Sequence, residues 1–282
     1  MNKLITIMLC LLIADECFSR IIPFTEAEEQ ACSEHVNDMQ FYCRIAVLDN
    51  FGIIKQTYTI PNEESDYIFK LCTEREVRKA AHNYIDRNDM VRVKEKQQID
   101  SIYQDRIDSC LMPYNSKVAG AMIQYFLRLA KTLDIEEGKR QKILSLGLNV
   151  SRGLRKEPCY NYDIPVMKTL KKLLTRKQLH DIIDSKNAKA AVAHSKCVWQ
   201  ELKDNSIVVY EDSTKELPKM ITYYLMEMRI NDLYVDNEVM RQNNLSDLWR
   251  NQPATISLYE SKKRKKNMMK AKQVGTEEKL IW

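Results

Sequence analysis

SKVAGAMIQYFLRLAKTL, residues 116–133, decides the fold class. Its apolar positions Ala119, Met122, Phe126, Ala130 and Leu133 recur at steps of three or four, which puts them on one face of an α-helix. A face of that kind predicts a core helix. The same rhythm appears in residues 25–49, where Cys32, Val36, Met39, Cys43 and Ala46 step by four, three, four and three. Residues 62–112 read as one long helix or two consecutive ones; they are polar, with Ile99, Tyr103 and Cys110 among few apolar positions, a composition suited to solvent on several sides. Further helices are expected at 135–156, 164–174, 176–203, 214–230, 232–250 and 254–270. Only Ser206 to Tyr210, with its Ile-Val-Val run, reads as a short strand. The expectation is an all-α chain: a multi-helix antiparallel bundle or a set of helical hairpins.

Composition supports this. Only 6 glycines and 7 prolines occur in 282 residues, whereas a sheet protein of this length needs many tight reversals. The 44% hydrophobic and 29% charged residues suit a globular chain able to bury a sizeable core. The clearest break runs from Glu157 through Pro158 to Pro165, a connector or sub-boundary within the body; a second is Asn251-Gln252-Pro253.

At the N-terminus, Lys3 precedes an uncharged apolar run from Leu4 to Ala14 that stops at Asp15 and Glu16. This has the form of a signal-peptide h-region and is about half the ~20 residues a membrane-spanning helix requires. Ser19, with Cys17 two residues before it, provides a cleavage site that leaves a chain beginning at Arg20. The domain reading is therefore 1–19 signal peptide, 20–260 helical body and 261–282 basic tail. The tail carries eight cations against two acids, including the run Lys262, Lys263, Arg264, Lys265 and Lys266, while residues 20–260 are neutral. A neutral body argues against a nucleic-acid surface. The tail, in an exported chain, is a candidate contact for an anionic envelope surface.

Leu174-Thr175-Arg176-Lys177-Gln178 has the form of a capping box, in which the Thr175 hydroxyl and the Gln178 side chain each satisfy the other's backbone N–H. A looser version stands 41 residues earlier at Leu133-Asp134-Ile135-Glu136-Glu137, where Asp134 would cap and Glu137 reciprocate. This Leu-Thr-x-x-Gln motif with a related upstream copy resembles the Spy/CpxP periplasmic family, over residues 130–203. The first copy departs from the family pattern at its Thr and Gln positions, and this chain is longer. The resemblance implies a cradle of helical hairpins, dimerisation, and either ATP-independent chaperone activity on unfolded clients or envelope-stress regulation. More broadly the chain is similar to uncharacterised exported helical proteins of Gram-negative bacteria, a likeness that implies no activity.

Removal of residues 1–19 would leave Cys32, Cys43, Cys72, Cys110, Cys159 and Cys197, an even number that in an exported chain suggests disulfides, with buried apolar thiols as the alternative. Cys32 and Cys43 are separated by ~16 Å if one helix carries both, beyond the ~7 Å Cα limit of a bridge. Cys32-x-x-His35 and His194-x-x-Cys197 each set a thiol and an imidazole one helical turn apart, a weak candidate for a shared zinc site. There is no Gly-rich phosphate loop, nucleophile elbow, His-Glu-x-x-His or Cys-x-x-Cys in the sequence. The expectation is a non-enzymatic exported binding protein without a cofactor, periplasmic or secreted, that engages a protein partner or unfolded clients. Its alternatives are a structural or adaptor subunit of an envelope complex, and a secreted metal-binding protein or enzyme of unrecognised type.

Overall fold

The computed structural model describes residues 20–159, 161–205, 213–263 and 265. The predicted strand at 206–210, the signal segment 1–19 and most of the basic tail lie outside them. Every regular element among the described residues is helical, so the protein is all-α. No described helix is long and apolar enough to cross a membrane. The chain divides into two compact units, residues 1–160 and 161–282, and the division falls inside the connector between Pro158 and Pro165.

The first unit contains α1 (Glu26–Glu34), α2 (Val36–Thr57), α3 (Asn62–Ala81), α4 (Asp89–Leu111), α5 (Ser116–Ala119), α6 (Ala121–Leu129) and α7 (Glu137–Lys156). α3 is its central element, packed on α1, α2 and α4, while α7 closes over α4, α5 and α6. Ion pairs joining Lys79 to Asp100, and His82 to Glu95, show α3 and α4 to be antiparallel. The expected single helix over 25–49 is interrupted at His35, which ends α1 and begins α2 with φ −119° and ψ 23°. Cys32 and Cys43 consequently belong to one buried cluster with Met39, Val77 and Ala81. The separation argued from one continuous helix therefore does not apply to them.

One further boundary departs from the sequence reading, and an alternative left open there is decided. The 116–133 segment is broken at Gly120, whose φ of +86° is open to glycine at little cost, and its helix ends at Leu129. The periodic face survives the break, for Ala119, Met122, Phe126 and Ala130 are all buried. The polar stretch 62–112 is two helices, separated by the turn from His82 to Asn88.

The second unit contains α8 (Asp163–Leu173), α9 (Arg176–Asp204), α10 (Ser213–Leu233) and α11 (Glu238–Arg250), followed by a helical stretch over 254–263. α9 and α10 form its spine. Arg229 grips Asp184 near one end, and the His194 and Tyr224 rings meet further along, so the helices run antiparallel. Their seam buries Ala191, Val198, Trp199, Leu202, Met220 and Tyr224, and Ile256 of the final stretch packs against it.

Candidate functional site

The outward face of α2 exposes large apolar side chains. Successive helical residues are turned by ~100°, so Met39, Cys43 and Val47 share the face that is buried against the core. The outward side carries Phe41, Tyr42 and Ile45, which remain 66%, 73% and 47% exposed, while Ile53, 64% exposed, lies at the flank of the buried face. The Phe41 and Tyr42 rings meet edge to face at 5.9 Å, forming one aromatic ledge. Asp38 and Asp49 lie on the same side of the helix and are solvent-exposed. An amphipathic helix would present polar groups there. α2 instead offers an apolar row with Asp38 and Asp49 on one side of it and Arg44 and Lys55 on the other, the kind of surface that marks an interaction site.

Behind this face the helices are fixed by a buried charged hub. Thr25 and Glu28 make a capping box at the start of α1: the Thr25 N–H donates to Glu28 Oε2 at 2.8 Å, and the Glu28 N–H donates to the Thr25 hydroxyl at 3.3 Å. The other oxygen of Glu28 accepts from Arg78 Nε at 2.7 Å and lies 2.8 Å from His82 Nε2. The second nitrogen of His82 lies 3.1 Å from Glu95 Oε2. Burial alone would raise the Glu28 carboxyl, but the Arg78 guanidinium, the Thr25 N–H and His82 outweigh it and hold it below its ordinary value. Glu74, also buried, accepts from the Ile21 N–H at 2.9 Å and from the Tyr103 hydroxyl at 3.3 Å. These groups anchor the entry segment and α1 to α3 and α4.

Sequence reasoning missed this hub. Thr25-x-x-Glu28 is the same capping signal as at 175–178, so the start of α1 was open to recognition; the partnership with Arg78 and His82, 50 or more positions away, was not.

α4 and α7 flank a second feature, an open cleft of about 410 Å³ lined by Arg75, Asp100, Gln104, Arg152, Arg155 and Lys156 among others. Its arginines are largely committed. Arg152 Nε donates to both oxygens of Asp105, at 3.1 and 3.0 Å, and Arg155 pairs with Asp105 and Asp108. Although partial burial would raise Asp105, these two arginines hold its carboxyl below the usual range. The arrangement clamps α4 to α7.

Thr175 and Gln178 form a complete capping box at the start of α9: the Thr175 N–H donates to Gln178 Oε1 at 3.0 Å and the Gln178 N–H donates to Thr175 Oγ1 at 3.2 Å. Leu174 beside them is buried. The upstream copy is built differently. α7 begins at Glu137 with Glu136 in the capping position and no side-chain cap. Asp134 lies two residues earlier with φ 47°, turning the chain rather than capping it, and Leu133 is half-buried.

No two cysteines among the described residues are joined by a disulfide. Cys32, Cys43 and Cys72 are buried, Cys110 is half-buried, and Cys159 and Cys197 are exposed. Burial first, then the charge of Glu76, pushes the Cys43 thiol up to about 12. Burial likewise pushes Cys72 up to about 11. These are packing thiols, small and apolar. Among the described residues no group of three His, Cys, Asp or Glu side chains is placed to hold a metal ion. Of the proposed zinc ligands, Cys32 and His35 belong to the first unit and His194 and Cys197 to the second. His35 stacks on Tyr84 at 4.0 Å, and His194 meets the Tyr224 ring at 4.3 Å. Of the basic run, Lys262, Lys263 and Lys265 are exposed, and Lys263 Nζ lies 5.5 Å from the centre of the Tyr259 ring. The Arg264 side chain and Lys266 lie outside the described residues.

Comparison with protein-family models, curated proteins and solved structures finds no match to this chain.

Proposed function

We propose that the protein is an exported, non-catalytic helical binding protein of the bacterial periplasm or cell envelope, which shields apolar segments of other polypeptides on the outward face of α2. The observation that carries this reading is the exposure of Phe41, Tyr42 and Ile45 on a helix whose other side is already buried. The core has no further use for that row. Burying a large apolar side chain is worth ~1.5–3 kcal/mol, so a few contacts suffice for reversible capture. Asp38 and Asp49 stand on one side of this face and Arg44 and Lys55 on the other, so apolar contact and not net charge carries the capture.

The likeness of Leu174-Thr175-x-x-Gln178 to the Spy/CpxP motif points the same way, toward ATP-independent handling of unfolded clients by a dimer. The apolar run Leu4 to Ala14 supports export with cleavage after Ser19, and the basic run 262–266 supports salt-sensitive docking on anionic envelope lipid. N-terminal sequencing of the exported protein is expected to begin at Arg20; a product that keeps residues 1–19 contradicts the export reading.

Light scattering of a heat-denatured client tests the binding function. The wild-type chain is expected to suppress aggregation without ATP. The triple variant Phe41→Ser, Tyr42→Ser, Ile45→Ser is expected to lose most of that suppression while keeping its helical circular dichroism. Equal suppression by the variant contradicts the proposal.

A further inference from the structure

The second unit holds a cavity of about 230 Å³ between α10, α11 and the 254–263 stretch. Its walls are aromatic: Tyr223 and Tyr224 of α10 cross edge to face at 5.4 Å, and Trp249 of α11 stands at the mouth. Its polar lining is anionic, with Glu227 and Glu260 both facing it. Neither carboxylate has a lysine or arginine ion-pair partner among the described residues. The Tyr224 hydroxyl is buried in this wall and finds no hydrogen-bond partner among the described residues. Most buried polar groups are satisfied; this one is not, and it lies near both carboxylates, behind the cavity surface.

We infer that this cavity is a binding site for an alkylammonium group, with the tyrosine and tryptophan rings, the Tyr224 hydroxyl, Glu227 and Glu260 as its receiving surface. Aromatic faces attract cations, and more strongly where water is excluded. A primary ammonium also supplies three N–H donors, which match the two carboxylates and the Tyr224 oxygen, whereas a quaternary ammonium would leave those acceptors unsatisfied. Burial keeps the half-buried Glu227 carboxyl above its ordinary value, although the Trp249 side chain and His194 oppose it. A bound cation would reverse that. The site rests on observations independent of the α2 face, and either can fail alone.

Isothermal titration calorimetry of the full chain with butylammonium chloride tests the site, with tetramethylammonium chloride as the comparison. Saturable binding of butylammonium is expected, tighter than that of tetramethylammonium. The double variant Glu227→Gln, Glu260→Gln is expected to weaken it at least tenfold, and Tyr224→Phe severalfold. Circular dichroism melting of each variant guards against misfolding, and the single Glu260→Gln change at a half-exposed position provides a second readout if the double variant does not fold. A second titration, with the peptide acetyl-Gly-Lys-Gly-amide, separates sources. Binding as tight as that of butylammonium assigns the site to lysine side chains of polypeptides, and binding confined to butylammonium assigns it to free amines. Absence of saturable binding by either amine, or undiminished binding by a folded double variant, overturns the inference.

Discussion

His82 Nε2 lies 2.8 Å from Glu28 Oε1 across 54 positions of sequence, and the two join the first turn of α1 to the end of α3. Glu28 is 2% exposed and shares the same oxygen with Arg78. Removing its charge takes the partner from the partly buried Arg78 guanidinium, and breaking a buried pair costs up to ~3–5 kcal/mol. Glu28→Gln is therefore expected to lower the melting temperature of the first unit strongly. The pH dependence follows from the direction of its shift. A carboxyl held below its ordinary value of 4.5 contributes stability that is present above that value and is lost as pH falls through the folded-state value. Urea melts between pH 6 and pH 3 (roughly the carboxylate range) should show a steeper acid loss in the wild type than in the variant.

Gly147 of α7 faces Met112 and Ile123. A Cβ at this position would lie 2.8 Å from Met112 Sδ and 3.0 Å from Ile123 Cγ2, both in fully buried side chains. Helix propensity favours alanine over glycine by ~1 kcal/mol, but overpacking costs ~1–3 kcal/mol. The clash prevails. Gly147→Ala is expected to destabilise by about 1 kcal/mol, and adding Met112→Ala should give less than the sum of the two single effects, because the second change removes the obstructing sulfur. Additive losses in denaturant melts would show that Met112 is not the obstacle.

The two motif copies predict opposite behaviour. Thr175→Ala removes the cap of α9 and is expected to cost ~1 kcal/mol. Asp134 makes no cap and holds a positive φ, a conformation that glycine adopts freely. Asp134→Gly is therefore expected to be neutral or stabilising. Equal losses at the two positions would contradict the difference in geometry.

What the sequence made legible was governed by range. The cap at Thr175 needs only its own next three residues, so its pattern could be read in full. The core face of 116–133 was also legible, because burial of Met122 and Phe126 depends on periodicity and survives the break at Gly120. The α2 ledge was hidden for the same reason: periodicity draws attention to Met39 and Cys43, and Phe41, Tyr42 and Ile45 fall off that stripe. The Glu28 hub and the Tyr224 cavity combine residues tens of positions apart on different helices. No local pattern announces them. The cysteines show a further limit, since an even count fits a disulfide set and a set of buried thiols equally well.

The thiols provide a direct check on packing. Cys159 and Cys197 are exposed, whereas Cys43 and Cys72 are buried and their thiols are pushed up to about 12 and about 11. Only the thiolate reacts. Iodoacetamide at pH 8, near the ~8.5 of a free thiol, should label Cys159 and Cys197 in the native protein, with Cys43 and Cys72 labelled only in denaturant. Native labelling of Cys43, read by peptide mass spectrometry, would contradict the packing of α2 on α3.

The central claim is that the outward face of α2 holds apolar segments of other polypeptides. Site-specific photocrosslinking tests it most directly, with benzoylphenylalanine placed at Ile45 on the ledge and, as the control, at the half-exposed Lys139 of α7. In the presence of an unfolded apolar client, strong adducts are expected from position 45, few from position 139, and loss of the adducts when Phe41 and Tyr42 are both changed to serine. Equal crosslinking from the two positions, or adducts at 45 that persist in the serine variant, would contradict it.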